Sequence, residues 1–263
     1  MKIDARHPVV EFHDMTVSYH RKPVLWDIDM TLPEGALIGV VGPNGAGKST
    51  LVKSAMGLLP LGSGYVKIFD RPLDKVRDRV SYVPQRESVD WDFPTSVFDV
   101  VLMGRYAKLG LLKRPGNRDK AIAMDCLQKV GMEGFVKRQI SQLSGGQQQR
   151  VFLARALAQE ADLYFMDEPF AGVDAATDAA ILKILQDLTA EGKTVVVVHH
   201  DLQSAATFFD WIVLLNLRLV ASGPIDQVFT HDLLQEAYGG KLTVLAEVGD
   251  LVSKRQIPNR EKY

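Results

Sequence analysis

The feature that most restricts the fold of this chain is the segment Gly42–Thr50, which reads GPNGAGKST. A glycine, four residues and then Gly-Lys-Ser/Thr is the pattern of a phosphate-binding loop, in which successive backbone N–H groups point at phosphate oxygens. Average residue usage produces this pattern by chance in roughly one chain per hundred of this length. The loop also follows a short apolar segment, 36–41, and precedes a helical pattern over 48–59. The sequence therefore predicts a strand, a phosphate-binding loop and a helix, in that order.

Two side chains at the end of this loop have chemistry suited to a bound nucleotide. Lys48 supplies a mobile positive charge for the β- and γ-phosphates, and Ser49 offers a hydroxyl to Mg²⁺. Many classes of nucleoside triphosphatase share this loop, so the loop alone does not choose among them.

Unbroken apolar strands alternate with amphipathic helices in the second half of the chain. Leu163–Met166, Thr194–Val198 and Trp211–Leu215 are apolar runs of strand length, and helical patterns cover Ala175–Ala190 and Leu202–Phe209. This alternation indicates a parallel sheet with helices on both faces.

Two other regions depart from that alternation. Val9–Tyr19 and Val24–Leu32 show loosely alternating apolar residues, which predicts antiparallel strands. From about residue 85 to 159 the strand signal disappears, and helices are predicted at Arg118–Val130 and Gly145–Gln159.

The predicted fold class is therefore α/β: a P-loop NTPase core with a parallel sheet, an antiparallel β sub-lobe and an inserted helical sub-lobe. We expect a single domain over residues 1–245, with the helical sub-lobe at about 86–159. Residues 246–263 are polar and are expected to form a loosely held tail.

The composition excludes several kinds of protein. The chain has 263 residues and a net charge of −1, so there is no basic excess for binding nucleic acid. A single cysteine, Cys126, excludes an internal disulfide and is expected to be a small buried apolar residue. The N-terminus lacks the apolar run of a signal peptide, and no apolar run approaches the ~20 residues of a spanning helix. We therefore expect the protein to serve a membrane only through a partner.

A second glycine-rich segment, Leu143–Gln147, reads LSGGQ and continues as QQR. Glycines after a serine at a helix start form another anion-binding nest, in which Ser144 can cap the helix or contact phosphate. The whole string resembles the signature motif of the ABC ATPase family. In that family two subunits pack head to tail, and the signature of one closes over the nucleotide held by the loop of the other. The resemblance therefore implies a homodimer that binds and hydrolyses ATP with Mg²⁺.

An apolar strand ends in two carboxylates at Asp167 and Glu168, which matches the Walker B pattern. Adjacent strand residues point to opposite sides, so the two carboxylates have different roles. Asp167 is expected to hold Mg²⁺ or its waters. Glu168 is expected to orient and deprotonate the attacking water.

Two single residues gain meaning only from their register with these motifs. Gln85 ends a strand where the helical sub-lobe begins and resembles the Q-loop glutamine, which contacts Mg²⁺ or water. Asp174 resembles the D-loop aspartate, and it can also be the N-cap of the helix at Ala175. Both interpretations of Asp174 can hold together.

A histidine pair and a tyrosine leave alternatives open. His200 directly precedes Asp201, as the switch histidine that contacts the γ-phosphate does in this family, whereas His199 is interpreted as a packing residue. Tyr19 lies at the end of an early strand, where the family has an aromatic residue that stacks on adenine. An ordinary half-buried strand tyrosine is the alternative.

The resemblance covers residues 8–245 and extends to a branch of the family. The stretch after Gln85, and Tyr238–Leu242, resemble the subunits of manganese, zinc and iron uptake systems. The implied partners are membrane permease subunits and, indirectly, a solute-binding protein, with this subunit at the cytoplasmic face of the membrane. Trp91 and Phe93 either line a groove for a permease helix or fill the core of the small sub-lobe.

Two rival classes fit less well. A non-transport ABC ATPase typically has coiled-coil insertions, two cassettes or a basic surface, and none is present in the sequence. A P-loop kinase or GTPase does not explain the signature. Within transport, export or uptake of another solute remains open.

These motifs define the candidate site. The residues expected to be catalytic are Glu168, His200, Gln85 and Lys48, and those expected at Mg²⁺ are Ser49, Gln85 and Asp167. The residues expected to bind the nucleotide are Tyr19, Gly42, Pro43, Asn44, Gly45, Ala46, Gly47, Lys48, Ser49, Thr50, Ser144, Gly145, Gly146, Gln147 and Asp174.

Overall fold

The protein is described here by a computed structural model, which covers residues 8–19, 22–109, 113–172 and 174–239. The chain divides into two compact units. The first unit combines the chain up to Leu73 with the chain from Val196 onward, and the second spans Asp74–Val195. The predicted tail, 246–263, lies outside the described residues.

The first unit contains a three-stranded antiparallel sheet in the order β2 (Lys22–Pro33), β1 (Pro8–Tyr19), β4 (Ser63–Ile68). Val10 and Phe12 of the central strand are buried, because alternate residues of a strand point to one face. A register shift between Phe12 and Met15 changes the parity of the buried positions, which continue at Met15 and Val17. The predicted antiparallel sub-lobe is confirmed.

The same unit contains strands of the α/β core. β3 (Leu37–Val41) is buried at every position and pairs in parallel with β8 (Trp211–Asn216). A further strand, β9 (Arg218–Pro224), pairs antiparallel with β8. We did not predict β9 from the sequence, because its apolar run, Leu219–Ala221, is only three residues long and is followed by Ser222, Gly223 and Pro224. Most of its residues are half-buried, and backbone pairing with β8 holds the strand in place. The helices of this unit are α1 (Lys48–Ala55), α7 (Leu202–Phe208), α8 (Ile225–Val228) and α9 (His231–Tyr238).

The second unit contains a pair of parallel strands and a set of helices. β5 (Val80–Val83) pairs with β6 (Leu163–Asp167) so that Val83 lies opposite Met166. In the described part of 86–159 the regular elements are helical, as the sequence predicts. The helices are α2 (Val97–Leu102), α3 (Tyr106–Leu109), α4 (Asn117–Lys129), α5 (Gly145–Ala158) and α6 (Ala175–Ala190). Short 3-10 turns lie at Arg77–Arg79, Arg86–Ser88, Met103–Arg105, Glu133–Phe135 and Ile140–Gln142, and one more, Leu73–Lys75, lies at the start of the unit.

β7 (Thr194–Val198) crosses the division between the units, and all five of its residues are buried. An unbroken apolar strand of this kind is typical of a parallel sheet covered on both faces. The α/β core predicted from the sequence is present.

Apolar side chains and one ion cluster hold the helices of the second unit together. Cys126 on α4 is buried, as predicted, and burial raises the pKa of its thiol to about 11. Arg105 is 6% exposed, and its guanidinium contacts Asp119 at 3.0 Å and Glu160 at 2.6 Å. The buried charge is therefore paired, as burial of a guanidinium requires.

Within the described ranges, no helix combines the length and the apolar character that crossing a membrane requires.

Candidate functional site

In the first unit, the phosphate-binding loop runs from the end of β3 into α1. Lys48 is the first residue of α1 and is only 7% exposed. Its ammonium group is folded back along the loop, where Nζ donates to the carbonyl oxygens of Gly42 at 2.7 Å and Pro43 at 3.0 Å. The ammonium group therefore lies over the loop, and a rotation of the Lys48 side chain alone can turn it toward a bound phosphate.

At two positions of the loop, other parts of the chain lie so close that only glycine fits. A Cβ at Gly42 would lie 2.0 Å from the carbonyl oxygen of Leu215. Gly47 has φ +93°, and a Cβ there would lie 2.5 Å from Cδ2 of Leu25. Since a side chain is excluded at both positions, the loop is fixed tightly against β8 and β2.

The start of α1 has the chemistry of an anion site. Gly47 provides no side-chain cap, and the first turn contains no acidic residue. The Cβ position of Gly45 faces open space, with no atom within 4 Å. A helix N-terminus without a side-chain cap offers its amides and its positive dipole end to a phosphate, so the residues present fit a nucleotide.

The two adjacent histidines have opposite environments. His199 is 4% exposed, its Nε2 lies 2.7 Å from Ser204 Oγ, and its ring contacts Phe209 edge-on at 5.5 Å between centroids. Burial lowers the pKa of His199 to about 4. His200 is exposed at the surface. This geometry agrees with His199 as a packing residue, and it leaves the ring of His200 accessible.

Hydrogen bonds fix the backbone of the turn that carries the histidine pair, between β7 and α7. The N–H of His199 donates to the carbonyl of Val40 at 3.0 Å, which places the histidine pair beside the strand that leads into the phosphate loop. Asp201 caps α7 by accepting bonds from the amides of Gln203 at 3.1 Å and Ser204 at 3.0 Å. His200 is therefore presented by a fixed turn.

Tyr19 lies at the end of β1 and is 44% exposed. An exposure of 44% is also compatible with the alternative, a half-buried strand tyrosine, so both interpretations stay open. Its ring is accessible to a stacking partner, which is the property that the adenine prediction needs.

In the second unit, the two carboxylates at the end of β6 also have different environments. Asp167 is completely buried as the last residue of the strand. Glu168 follows with φ +52°, a left-handed conformation that is uncommon for a residue with a side chain. This turn ends the strand and directs the Glu168 carboxylate to Gln85, whose Nε2 donates to Oε2 at 3.3 Å. The structure thus brings Gln85 and Glu168 together.

Tyr82 is a neighbour of Asp167 that the sequence did not single out. It lies opposite Phe165 in the pairing of β5 with β6. Burial raises the pKa of its hydroxyl, and the negative charge of Asp167 raises it further. Only the strand register, which the sequence does not reveal, brings this phenol near the carboxylate.

The signature segment begins α5 with a reciprocal capping box. The amide of Gln147 donates to Ser144 Oγ at 3.4 Å, and the amide of Ser144 donates to Gln147 Oε1 at 3.0 Å. The capping function predicted for Ser144 is therefore present. Its contact with phosphate stays a prediction.

Asp174 is the N-cap of α6, which is one of its two predicted functions. Its carboxylate accepts bonds from the amide and the hydroxyl of Thr177, both at 3.0 Å, and these bonds lower its pKa. Its D-loop function stays a prediction, and Val173 of the same segment lies outside the described residues.

Besides Tyr82, sequence reasoning missed Arg86, which contacts the signature helix and has no motif of its own.

The sequence marked the end of α9 only through the resemblance of Tyr238–Leu242 to metal-uptake subunits, and residues 240–242 of that segment lie outside the described residues. Near the end of α9, Asn216 Nδ2 donates to the carbonyl of Ala237 at 2.9 Å. Burial raises the pKa of Tyr238, and the backbone amide of Gly42 opposes that shift. The sequence signal at α9 is weak, because the helix is short and follows an unpredicted strand.

Trp91 and Phe93 have different positions. Trp91 is half-buried and packs on Phe152 at 4.8 Å between ring centroids, and both rings also line the groove beside Phe93, so both interpretations stay open for Trp91. Phe93 is 57% exposed at a groove of about 360 Å³, which matches the groove interpretation. The groove also has Val89, Val100, Met103, Ile140 and Arg155 in its wall.

Comparison with known proteins identifies the family. The sequence model described as ABC transporter matches residues 25–171. The zinc transport system ATP-binding protein TroB of Treponema pallidum is 59% identical, over 92% of this chain and 91% of that protein. The manganese transport system ATP-binding protein MntB of Bacillus subtilis is 62% identical, over 90% of this chain and 95% of that protein. A solved structure of an ATP-binding subunit of an ABC transporter has the same fold, with a TM-score of 0.76, 24% identity, and coverage of 92% of this chain and 99% of that one. The chain therefore belongs to the family of ABC transporter ATP-binding proteins.

Proposed function

We propose that this protein is the Mg-ATP-hydrolysing motor subunit of an importer for divalent metal cations, namely manganese, zinc or iron. The observation that carries the hydrolytic part is the position of Glu168 directly after a buried aspartate, with its carboxylate held by Gln85 at 3.3 Å. The cargo is inferred from relatives of 59% and 62% identity, which are named for zinc and manganese transport.

The binding of ATP would use the backbone of the phosphate loop. Gly42–Thr50 surrounds the phosphates with N–H groups, and the Lys48 ammonium exchanges its bonds to loop carbonyls for bonds to phosphate oxygens. Tyr19 stacks on the adenine ring. Ser144–Gln147 of a second copy completes the site in a head-to-tail homodimer.

The chemical step assigned to this chain is proton abstraction. Glu168 accepts a proton from water as the water oxygen attacks the γ-phosphorus, the bond to the β-phosphate oxygen breaks, and ADP and phosphate result. His200 donates to the γ-phosphate. Ser49, Asp167 and Gln85 would hold Mg²⁺, which neutralises the charge of the phosphate oxygens when bound. Asp174, the cap of α6, lies in the segment expected at the dimer contact.

The partners follow from the proposed role. Two copies would bind two permease subunits at the cytoplasmic face of the membrane, with the helical sub-lobe as the contact and a solute-binding protein supplying the cation. Phe93 and the apolar side chains of the groove beside it suit an inserted permease helix.

Purification of the subunit from its native membrane tests the transport assignment. We expect a permease and a solute-binding protein to copurify, and the reconstituted complex to accumulate labelled Mn²⁺, Zn²⁺ or Fe²⁺ only with ATP. A complex built with Glu168→Gln should assemble and fail to accumulate the cation. Copurification with nucleic acid or ribosomes and without a permease would contradict transport. ATP-driven uptake of another solute only would contradict the cation cargo.

A further inference from the structure

Arg86 joins the glutamine segment to the first turn of α5. Its Nε donates to Gln148 Oε1 at 3.2 Å. Its guanidinium also covers Gly145, where a Cβ would lie 3.0 Å from Cζ and 3.1 Å from Nε. Gly145 is the third residue of the signature Leu143–Gln147, and a side chain there would push the guanidinium away by a few tenths of an ångström.

The partner amide of Arg86 is fixed on both sides. Gln148 is 4% exposed, and its Nε2 donates to the carbonyl of Ile140 at 3.2 Å. The Nε2 bond orients the amide so that Oε1 faces Arg86. Breaking either hydrogen bond of the buried Gln148 amide would destabilise the protein. The contact between Arg86 and Gln148 is therefore a defined link and not a chance surface contact.

The charge of Arg86 is poorly placed for stability alone. The N-terminus of α5 carries the positive end of the helix dipole, so a cation beside it is unfavourable. The ion pairs found among the described residues give Arg86 no carboxylate partner. A cation that lies against the dipole without a carboxylate partner is better explained by a role in the working site than by stability.

The backbone around Arg86 carries two further links. Its carbonyl accepts a bond from Trp91 Nε1 at 2.8 Å, so the aromatic segment beside the groove is tied to it. The preceding residue, Gln85, holds Glu168. A displacement of Trp91 is therefore linked to the signature turn through Arg86, and to the Glu168 carboxylate through Arg86 and the adjacent Gln85.

We propose that Arg86 is a positioning residue that fixes the signature turn of α5 relative to Gln85 and Glu168. It acts through Gln148 and Gly145 and not on the nucleotide itself. This inference rests on the proposed ATPase function, because its kinetic effect is exerted in the hydrolysis of ATP.

A double-mutant cycle in the reconstituted transporter tests the kinetic role. We expect Arg86→Ala and Gln148→Ala each to lower kcat about 10- to 100-fold, and the double variant to be no slower than the slower single one. ATP affinity at the phosphate loop should change less than twofold. Arg86→Lys, which keeps a donor but loses the planar contact on Gly145, should recover part of kcat. Arg138→Ala, at an exposed arginine of the same unit, should match the wild type. Multiplicative losses in the cycle, or an unchanged kcat in Arg86→Ala, would overturn the proposal.

Amide hydrogen exchange tests the link without hydrolysis. In the nucleotide-free chain, Arg86→Ala should increase exchange at 145–149 by about tenfold or more, and Arg138→Ala should not. Unchanged exchange at 145–149 rejects the link even if the transporter is active. Increased exchange in a protein whose wild type does not hydrolyse ATP would retain the link and reject the proposed function.

Discussion

Gln85 Nε2 donates a hydrogen bond to Glu168 Oε2 at 3.3 Å, although 83 positions separate the two residues in the chain. The bond joins the segment after β5 to the turn after β6. A neutral amide donor orients the carboxylate without neutralising it. A general base must be both oriented and ionised, so this contact suits the base proposed at Glu168. The kinetic predictions below depend on this pair.

Glu168→Gln should leave ATP binding unchanged and lower kcat by about 10²- to 10⁴-fold, because an amide cannot accept the proton of the attacking water. Binding is measured with a fluorescent ATP analogue and hydrolysis by phosphate release. Glu87→Gln, at an exposed glutamate in the neighbouring 3-10 turn, is the matched control and should hydrolyse ATP normally. Wild-type turnover in Glu168→Gln would remove the base assignment.

Gln85→Glu should place a second carboxylate beside Glu168. Like charges at this distance disfavour double ionisation, so the pair retains a proton to higher pH. We expect a lower kcat at pH 7 and an acid limb of the pH–rate profile that moves upward by about one pH unit or more. Gln85→Met, of similar size and without charge, should lower kcat with no such movement. Identical pH profiles for the two variants would contradict an interaction between positions 85 and 168.

Gly42→Ala should destabilise the protein and weaken nucleotide binding. The new Cβ would lie 2.0 Å from the Leu215 carbonyl oxygen, which is backbone and cannot rotate away. Overpacking of this kind costs about 1–3 kcal/mol in the free energy of unfolding, measured by urea denaturation. Gly134→Ala is the control, since its Cβ would meet no atom within 4 Å. Equal stability of the two variants would show that the loop is less constrained than this contact implies.

His199 should make the protein less stable as the pH falls. Its folded pKa is about 4, below the ordinary value of 6.5, so between these values the unfolded chain binds the proton more readily than the folded one. The contribution of His199 to the free energy of unfolding is therefore complete above pH 6.5. It declines below that pH, by at most about 1.4 kcal/mol per pH unit.

Urea denaturation at pH 7 and pH 5 measures this slope. His199→Gln should reduce it, and His231→Gln, at an exposed position, should leave it unchanged. A wild-type slope in His199→Gln would contradict the buried neutral state of this histidine.

The local motifs were readable because they are contiguous. In each motif the spacing of neighbouring residues sets the backbone conformation, so the pattern can be recognised in the sequence. This applies to the glycines of Gly42–Thr50, to the serine before the glycines at 145–146 and to the two carboxylates at the end of β6. The same reasoning predicted the capping of α5 by Ser144 and of α6 by Asp174.

Other features needed the folded chain. No pattern predicted β9, because an edge strand of half-buried residues takes its conformation from pairing with β8. The steric reason for Gly42 is likewise a carbonyl 173 positions away.

The sequence by itself determined the α/β class, the phosphate loop, the Walker B carboxylates and the membership of a family, because periodicity and contiguous motifs encode them. Only the tertiary structure decided that His199 is buried while His200 is exposed, that Gln85 reaches Glu168, and that Arg86 covers Gly145. The physical reason is that these relationships join groups from different strands and helices. Their distances depend on strand register and packing, which no local pattern specifies.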